Sequence, residues 1–227
     1  KRNLRSFHQI KNLTAEIQNI TKNKKFPILI DEEGERVSRL RDVINHNISS
    51  NFFGDLFHTN KEFCLKIFKH YLSSLGKTLS ELGININTIP VLDVLRNNTH
   101  YIIGNRSFSK NKKIVKKLGQ LTIKYLNLNK IAGIVKHIPG HGAATADSHK
   151  KMPRVNLSLK KLEKIDFYPF RLSNAKFAMT AHILYSKLDK KNVATFSKKI
   201  IKKIIRKKLK FKGILLSDDI SMKALKF

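Results

Sequence analysis

Between Lys136 and His149 the chain reads KHIPGHGAATADSH, which brings His137, His141, Asp147 and His149 into one short run behind an apolar stretch. Imidazole and carboxylate groups crowded in this way either hold a metal ion or move protons. A metal would take all four as ligands, but Pro139 and Gly140 forbid the helix that would set His137 and His141 on one face. No second cluster in the sequence completes a coordination shell. The proton-transfer reading fits better. Gly140, Gly142 and the alanines then form a mobile loop that carries Asp147-x-His149 toward a ligand. The carboxylate orients the imidazole and favours its cationic form, so that the ring donates a proton and later takes one back.

A second run, Leu216-Ser217-Asp218-Asp219-Ile220-Ser221-Met222, sets two acids behind another apolar segment. A carboxylate so placed serves as a nucleophile or as an electrostatic stabiliser. Aspartate at a strand-to-helix turn equally serves as a helix cap. The residues alone leave both readings of Asp218 open, with Asp219 the better cap. A third run, Ile30 to Leu40 (IDEEGERVSRL), mixes both signs of charge and suits hydrogen bonds to several hydroxyls of a sugar; the plainer alternative is a solvated loop with local ion pairs.

These runs need elements to position them. Short β-branched segments at Phe26 to Ile30, Ile84 to Leu92, Ile131 to Lys136, Phe177 to Ala181 and Gly213 to Leu216 read as strands. Helical periodicity occupies 6–22, 61–82, 110–127, 158–174 and 197–210. In the last of these, Ile200, Ile201, Ile204, Ile205 and Leu209 share one face. That pattern suits a helix packed on a sheet with its lysines in water, in preference to a membrane-surface or nucleic-acid helix. Alternating strands and helices predict an α/β fold with a parallel sheet. Polar residues collect where each strand ends: Asp31, Asp93, His137, His182 and Asp218. A (β/α)8 barrel builds its site at that end, and so does a doubly wound sheet. Five strands cannot close an eight-stranded barrel.

The chain has 227 residues, 41% of them hydrophobic, enough for one sizeable core. Its formal net charge of +30 would raise nucleic acid as a partner. The lysines and arginines are spread evenly, however, amid abundant Ile and Asn, which points to compositional bias. Cys64 is the single cysteine and lies in a helical pattern; it reads as a buried core residue in a reducing compartment, which favours a cytoplasmic location. No apolar run is long enough to span a membrane, so the expectation is a soluble protein without membrane insertion.

The segments IDEEGERVSRL, INTIPVLDV, IGNRSFS, KHIPGHGAATADSHKKMP, MTAHILY and FKGILLSDDISMKAL together resemble family 3 glycoside hydrolases, of the bacterial β-N-acetylglucosaminidase type that acts in peptidoglycan recycling. The resemblance runs through nearly the whole chain in the family's order. It implies a (β/α)8 barrel of the TIM type, with residues 1–227 forming a family 3 N-terminal-type domain truncated at both ends, an incomplete fragment that holds strands three to seven. It implies retaining, exo-acting hydrolysis of terminal β-linked N-acetylglucosamine through a covalent glycosyl-aspartate, with Asp218 as nucleophile, His149 as acid/base and Asp147 as its support.

The same resemblance assigns Asp31, Arg39, Arg106, Lys136 and His137 to substrate binding, and gives Asp93 and His182 no certain role. It implies an amino-sugar glycoside from cell-wall muropeptide fragments as substrate, no metal or organic cofactor, and no obligatory nucleic acid. Glu35 departs from the family, which usually carries a second glycine there. Two alternatives share the sequence features: a glycosyl phosphorylase using the same site, and a non-catalytic basic module for nucleic acid or another anionic polymer.

Overall fold

The computed structural model describes residues 4–45, 47–147, 152–171 and 174–225. Its helices begin where a small polar side chain accepts an otherwise unpaired N–H group of the first turn. Ser6 caps α1 (Phe7–Ile20), Ser49 caps α2 (Ser50–Thr59) and Asn60 caps α3 (Lys61–Glu81). Asn111 caps α4 (Lys112–Leu128) and Ser158 caps α5 (Leu159–Lys164). The last long helix, α6 (Ile200–Lys208), has π-type winding, and the Ser197 hydroxyl accepts from Ile200 N at its start. In α3 the buried residues Cys64, Phe68, Leu72, Leu75 and Leu79 recur at spacings of three and four, the stripe that a 3.6-residue repeat turns inward. The lysines fall on the opposite faces, which is how so basic a chain keeps its charge in water.

The strands are β1 (Leu29–Ile30), β2 (Glu32–Gly34), β3 (Val37–Ser38), β4 (Ile86–Asn87), β5 (Ala132–Ile138), β6 (Arg154–Val155), β7 (Phe177–Thr180), β8 (Leu184–Tyr185) and β9 (Ile214–Ser217). Five of them make one parallel sheet in the order β1-β4-β5-β7-β9. Strands adjacent in space are therefore successive in the chain, and the order never reverses. A doubly wound sheet reverses at a switch point and carries helices on both faces. A sheet that advances in one direction through right-handed crossovers puts its helices on one face and leaves the other for a barrel interior. The sheet is thus the wall of a (β/α) barrel, present as an incomplete arc. Leu29 on β1 and Ile214 on β9 are 47% and 58% exposed, so among the described residues no strand covers either edge.

All five expected sheet strands are present, with shorter or shifted bounds. β1 begins only at Leu29, after Pro27, which lacks the N–H that a ladder needs. The helix expected over 158–174 ends at Lys164, because the chain turns to bury Phe167 and Phe170 and to pair Asp166 with Arg96. Helix α2 was not legible. Its Gly54 argues against a helix interior, yet the packing demands it: a Cβ there would lie 1.6 Å from the Phe108 carbonyl oxygen. That close approach seats Phe53 against Phe68 and Tyr71, each with ring centroids 4.7 Å away. On α6, Ile200, Ile204 and Ile205 are buried as expected, as is Leu209 just past its end. Cys64 is buried as well, and its thiol donates to Phe53 O. No helix among the described residues is long and apolar enough to cross a membrane.

Candidate active site

The carboxyl ends of β1, β5, β7 and β9 converge on a cavity of about 300 Å³. Asp31 follows β1, Lys136 and His137 lie on β5, His182 follows β7 and Asp218 follows β9, and all of them line it. The hairpin β2–β3 contributes Glu33, Arg36 and Arg39 from one side, and the turn after Ile103 contributes Arg106 from another.

Buried polar groups fix this geometry. Asn87 on β4 binds the backbone of Glu32 twice, accepting from its N–H at 3.1 Å and donating to its carbonyl at 2.9 Å. The Glu32 carboxylate accepts from the N–H groups of Arg39 and Leu40, both at 2.9 Å, which closes the hairpin and directs Arg39 toward the cavity. Glu32 is therefore structural.

Glu33 is the centre of charge. Its carboxylate takes Lys136 Nζ at 2.5 Å and the Arg106 guanidinium in bidentate fashion at 2.8 and 2.9 Å. Burial opposes its ionised form, but Lys136 and Arg106 outweigh that and pull its pKa down to about 2. Arg106 responds in kind: burial would ease its proton off, and Glu33 holds it on more tightly than usual. Asp31 is paired with Lys136 and with Arg39 Nη2, both at 3.3 Å, and accepts from the Thr88 hydroxyl. Burial again opposes its charge, and Lys136, Thr88 and Arg39 again prevail, holding the carboxyl well below the usual range. The result is a continuous alternation of charge, Arg39–Asp31–Lys136–Glu33–Arg106, along one wall.

The second wall is built on Asp93. Fully buried, it meets His137 Nδ1 at 2.6 Å and accepts the N–H groups of His137 and His141 at 3.2 and 2.6 Å. Burial would raise its pKa, but His137 lowers it further. The His141 ring packs edge-on against His137 with centroids 5.6 Å apart. Burial pushes the His141 pKa down to about 4, despite the nearby Asp93 carboxylate. Across the cavity, His182 binds Thr195 Oγ1 at 2.7 Å and the Asp219 carbonyl at 3.2 Å. Burial lowers its pKa too, with Asp218 opposing. The Asp218 carboxylate accepts a local bond from Asp219 N at 2.8 Å and lines the cavity.

The structure thus gathers Asp31, Arg39, Arg106, Lys136, His137 and Asp218 around one space. Asp147 is buried at the end of the described part of its loop and is not among the residues that line the cavity. His149 lies outside the described residues. The glycines of that loop differ from expectation. A Cβ on Gly142 would lie 1.9 Å from Val94 O, and one on Gly140 would lie 2.7 Å from Asp166 O. They are glycines so that the backbone can pack tightly, and they anchor the segment's first half instead of loosening it. Sequence reasoning missed Thr88, weighed His141 only as a metal ligand, took Glu33 only as part of a charged run, and left Asp93 and His182 without certain roles. The signal for Asp93 and His182 was their position just past a strand. For Thr88 no comparable signal exists, since Asn85 and Asn87 make the same strand segment polar at other positions.

Residues 1–227 match the glycosyl hydrolase family 3 N terminal domain along their whole length. The chain belongs to that family. Among curated family 3 relatives, a beta-hexosaminidase of Neisseria meningitidis serogroup A is 34% identical over 226 residues, covering 98% of this chain and 62% of the relative. The chain therefore spans less than two thirds of such relatives' length. Of the solved structures, native NagZ from Neisseria gonorrhoeae superposes with a TM-score of 0.91 at 34% identity, covering 97% of this chain and 64% of that one. A family 3 beta-N-acetylglucosaminidase from Paenibacillus superposes with a TM-score of 0.87 at 31% identity, covering 99% and 43%.

Proposed function

We propose that this chain carries the sugar-binding and catalytic wall of a retaining exo-β-N-acetylglucosaminidase. The observation that carries the reading is the alternating charge wall Arg39–Asp31–Lys136–Glu33–Arg106 facing the Asp218 carboxylate across one small cavity. A terminal sugar presents several hydroxyls on one edge, each both donor and acceptor. Asp31 offers acceptors to them, and Lys136, Arg39 and Arg106 offer donors in fixed directions. A ligand lacking those hydroxyls would leave buried charges unpaired, so the wall selects for them. The relatives' names support an amino sugar, since they are beta-hexosaminidases.

In the proposed reaction Asp218 attacks the anomeric carbon, and a proton from His149 goes to the departing oxygen. A covalent glycosyl-aspartate forms. His149, now neutral, takes a proton from water, which attacks the same carbon and frees Asp218. Asp147 orients His149. A cationic acid in place of a second carboxyl group adds no negative charge beside Asp218. His182 sets the nucleophile's surroundings through its contact with the adjacent Asp219 carbonyl. The natural substrates on this reading are cell-wall fragments ending in β-linked N-acetylglucosamine, met in the cytoplasm, where a buried free thiol such as Cys64 stays reduced.

The test is turnover of an aryl β-N-acetylglucosaminide by the full-length protein. Asp218→Ala should lower kcat at least about a thousandfold while leaving the fold intact. A wild-type rate in that variant refutes the assignment. Phosphate added to the same assay should not stimulate turnover; formation of a sugar 1-phosphate would instead make the protein a phosphorylase.

A further inference from the structure

The loop that carries Asp147 leaves β5 after Ile138 and returns at β6, and one residue holds both ends of it. At the outgoing end the Tyr185 hydroxyl donates to Gly140 O at 2.6 Å. At the returning end Tyr185 pairs with Val155 through the parallel β6–β8 ladder, where Leu184 N donates to Pro153 O at 3.0 Å and Ser186 N to Val155 O at 3.1 Å. Tyr185 is fully buried, and its ring meets Phe167 edge-on with centroids 5.9 Å apart. A phenylalanine would fill the same space, so what the tyrosine adds is a donor for the Gly140 carbonyl.

A second grip lies two residues further along. Thr99 Oγ1 accepts from Arg96 N and donates to Gly142 O, both at 2.6 Å, and His100 N donates to Ala144 O at 3.1 Å. The 96–100 turn that supplies these groups is itself tied down, because the Arg96 guanidinium holds the buried Asp166 carboxylate through Nε and Nη2. Asp166 in turn packs on Gly140, where a Cβ would lie 2.9 Å from the Asp166 Cβ. Successive carbonyls of the loop's root, at Gly140, Gly142 and Ala144, are thus each taken by a different donor. Tyr185, Thr99 and His100 do not line the cavity.

We propose that Tyr185 and Thr99 are positioning residues for proton transfer: by fixing the root of the loop they set where its outer part delivers the acid/base group. The proposal rests on the reading that this group is His149, supported by Asp147. Since neither side chain lines the cavity, each acts through the loop. Protonating a departing oxygen requires the donor within hydrogen-bonding reach, and a displacement of about an ångström forfeits much of the rate. A carbonyl that loses its buried donor is free to turn, and everything beyond it in the loop inherits that freedom.

The test is the dependence of kcat/KM on the leaving group for aryl β-N-acetylglucosaminides, from dinitrophenyl to unsubstituted phenyl, with the full-length protein. A phenol that leaves readily needs little help from an acid, whereas a poor one needs its oxygen protonated. Tyr185→Phe and Thr99→Val each remove a hydroxyl with little change of shape. Each should lower kcat/KM for the phenyl glycoside about tenfold and for the dinitrophenyl glycoside less than about twofold, the scale of one buried hydrogen bond acting on proton transfer alone. Thr99→Ser should restore the wild-type ratio of the two rates. Because both rates come from one preparation, their ratio does not depend on how much of a variant folds, and a merely structural role would lower both alike. A wild-type ratio in Tyr185→Phe and Thr99→Val overturns the proposal. His149→Ala, run beside them, reports on the underlying reading and should show the steepest leaving-group dependence of all. If it does and the two hydroxyl variants do not, the positioning role fails and the enzyme reading stands. If His149→Ala itself keeps the wild-type ratio, the acid/base assignment fails and takes the proposal with it.

Discussion

Glu33→Gln tests the charge wall most directly. The substitution keeps the shape and one acceptor but removes the negative charge that Lys136 meets at 2.5 Å and Arg106 meets at 2.8 Å, leaving Lys136 with Asp31 alone at 3.3 Å. All three side chains are nearly excluded from water, at 3% exposure for Glu33 and Lys136 and 12% for Arg106. Removing one member of a buried ionic set typically costs about 3–5 kcal/mol, because the remaining charges are left uncompensated. Linkage gives an independent figure. A carboxyl whose pKa falls from 4.5 to about 2 on folding contributes about 3 kcal/mol at neutral pH. Its folded pKa is depressed, so the contribution is complete above about 4.5 and is lost as pH falls through about 2.

Urea unfolding of the full-length wild type and variant at a series of pH values measures the difference. The gap should be about 3 kcal/mol at pH 7, constant down to about pH 5, and should close toward pH 2 as wild-type Glu33 gains its proton. Asp31 titrates in both proteins, so most of its effect cancels. A gap under about 1 kcal/mol at pH 7, or one that does not shrink in acid, would refute the reasoning that Glu33 holds the wall together.

His141 should behave oppositely to a surface histidine. With a pKa near 4 it stays neutral when the unfolded chain has already taken up its proton, so folding loses about 3 kcal/mol as pH drops from 6.5 through 4. Its ring protons, followed by NMR, should titrate near pH 4; titration near 6.5 would mean that the ring is not buried as described. Gly142→Ala should cost at least about 3 kcal/mol, since a Cβ lying 1.9 Å from Val94 O forces the two backbones apart. Thermal denaturation measures it, and a melting point within a degree or two of the wild type would show that the loop yields easily.

The departure at Glu35 shows how a local reading and a structure can meet. The resemblance marks it as a side chain where the family usually carries glycine. In the structure Glu35 does take a left-handed conformation, with φ of 37°, which costs a non-glycine residue about 1–2 kcal/mol. Its carboxylate gains Asn105 as a partner and helps to line an open hollow beside Arg36 and Arg41, so the side chain has work that a glycine could not do. Helix α2 is the converse case. Its Gly54 weakens the local signal, and only the approach of the Phe108 carbonyl explains why glycine must stand inside a helix.

The sequence by itself determined the alternation of strands and helices, the buried face of α6, and the polar residues at each strand's carboxyl end. These depend on periodicity and on neighbours within a few residues, which a linear reading captures. It could not choose between a barrel and a doubly wound sheet, because both place function at the same strand ends. The monotonic order β1-β4-β5-β7-β9 made that choice. Nor could it pair Glu33 with Arg106 and Lys136, or Asp93 with His137, since each partner stands on a different element far along the chain. Strand register and sheet winding bring those groups within hydrogen-bonding distance, and burial then turns ordinary charges into a rigid, selective wall.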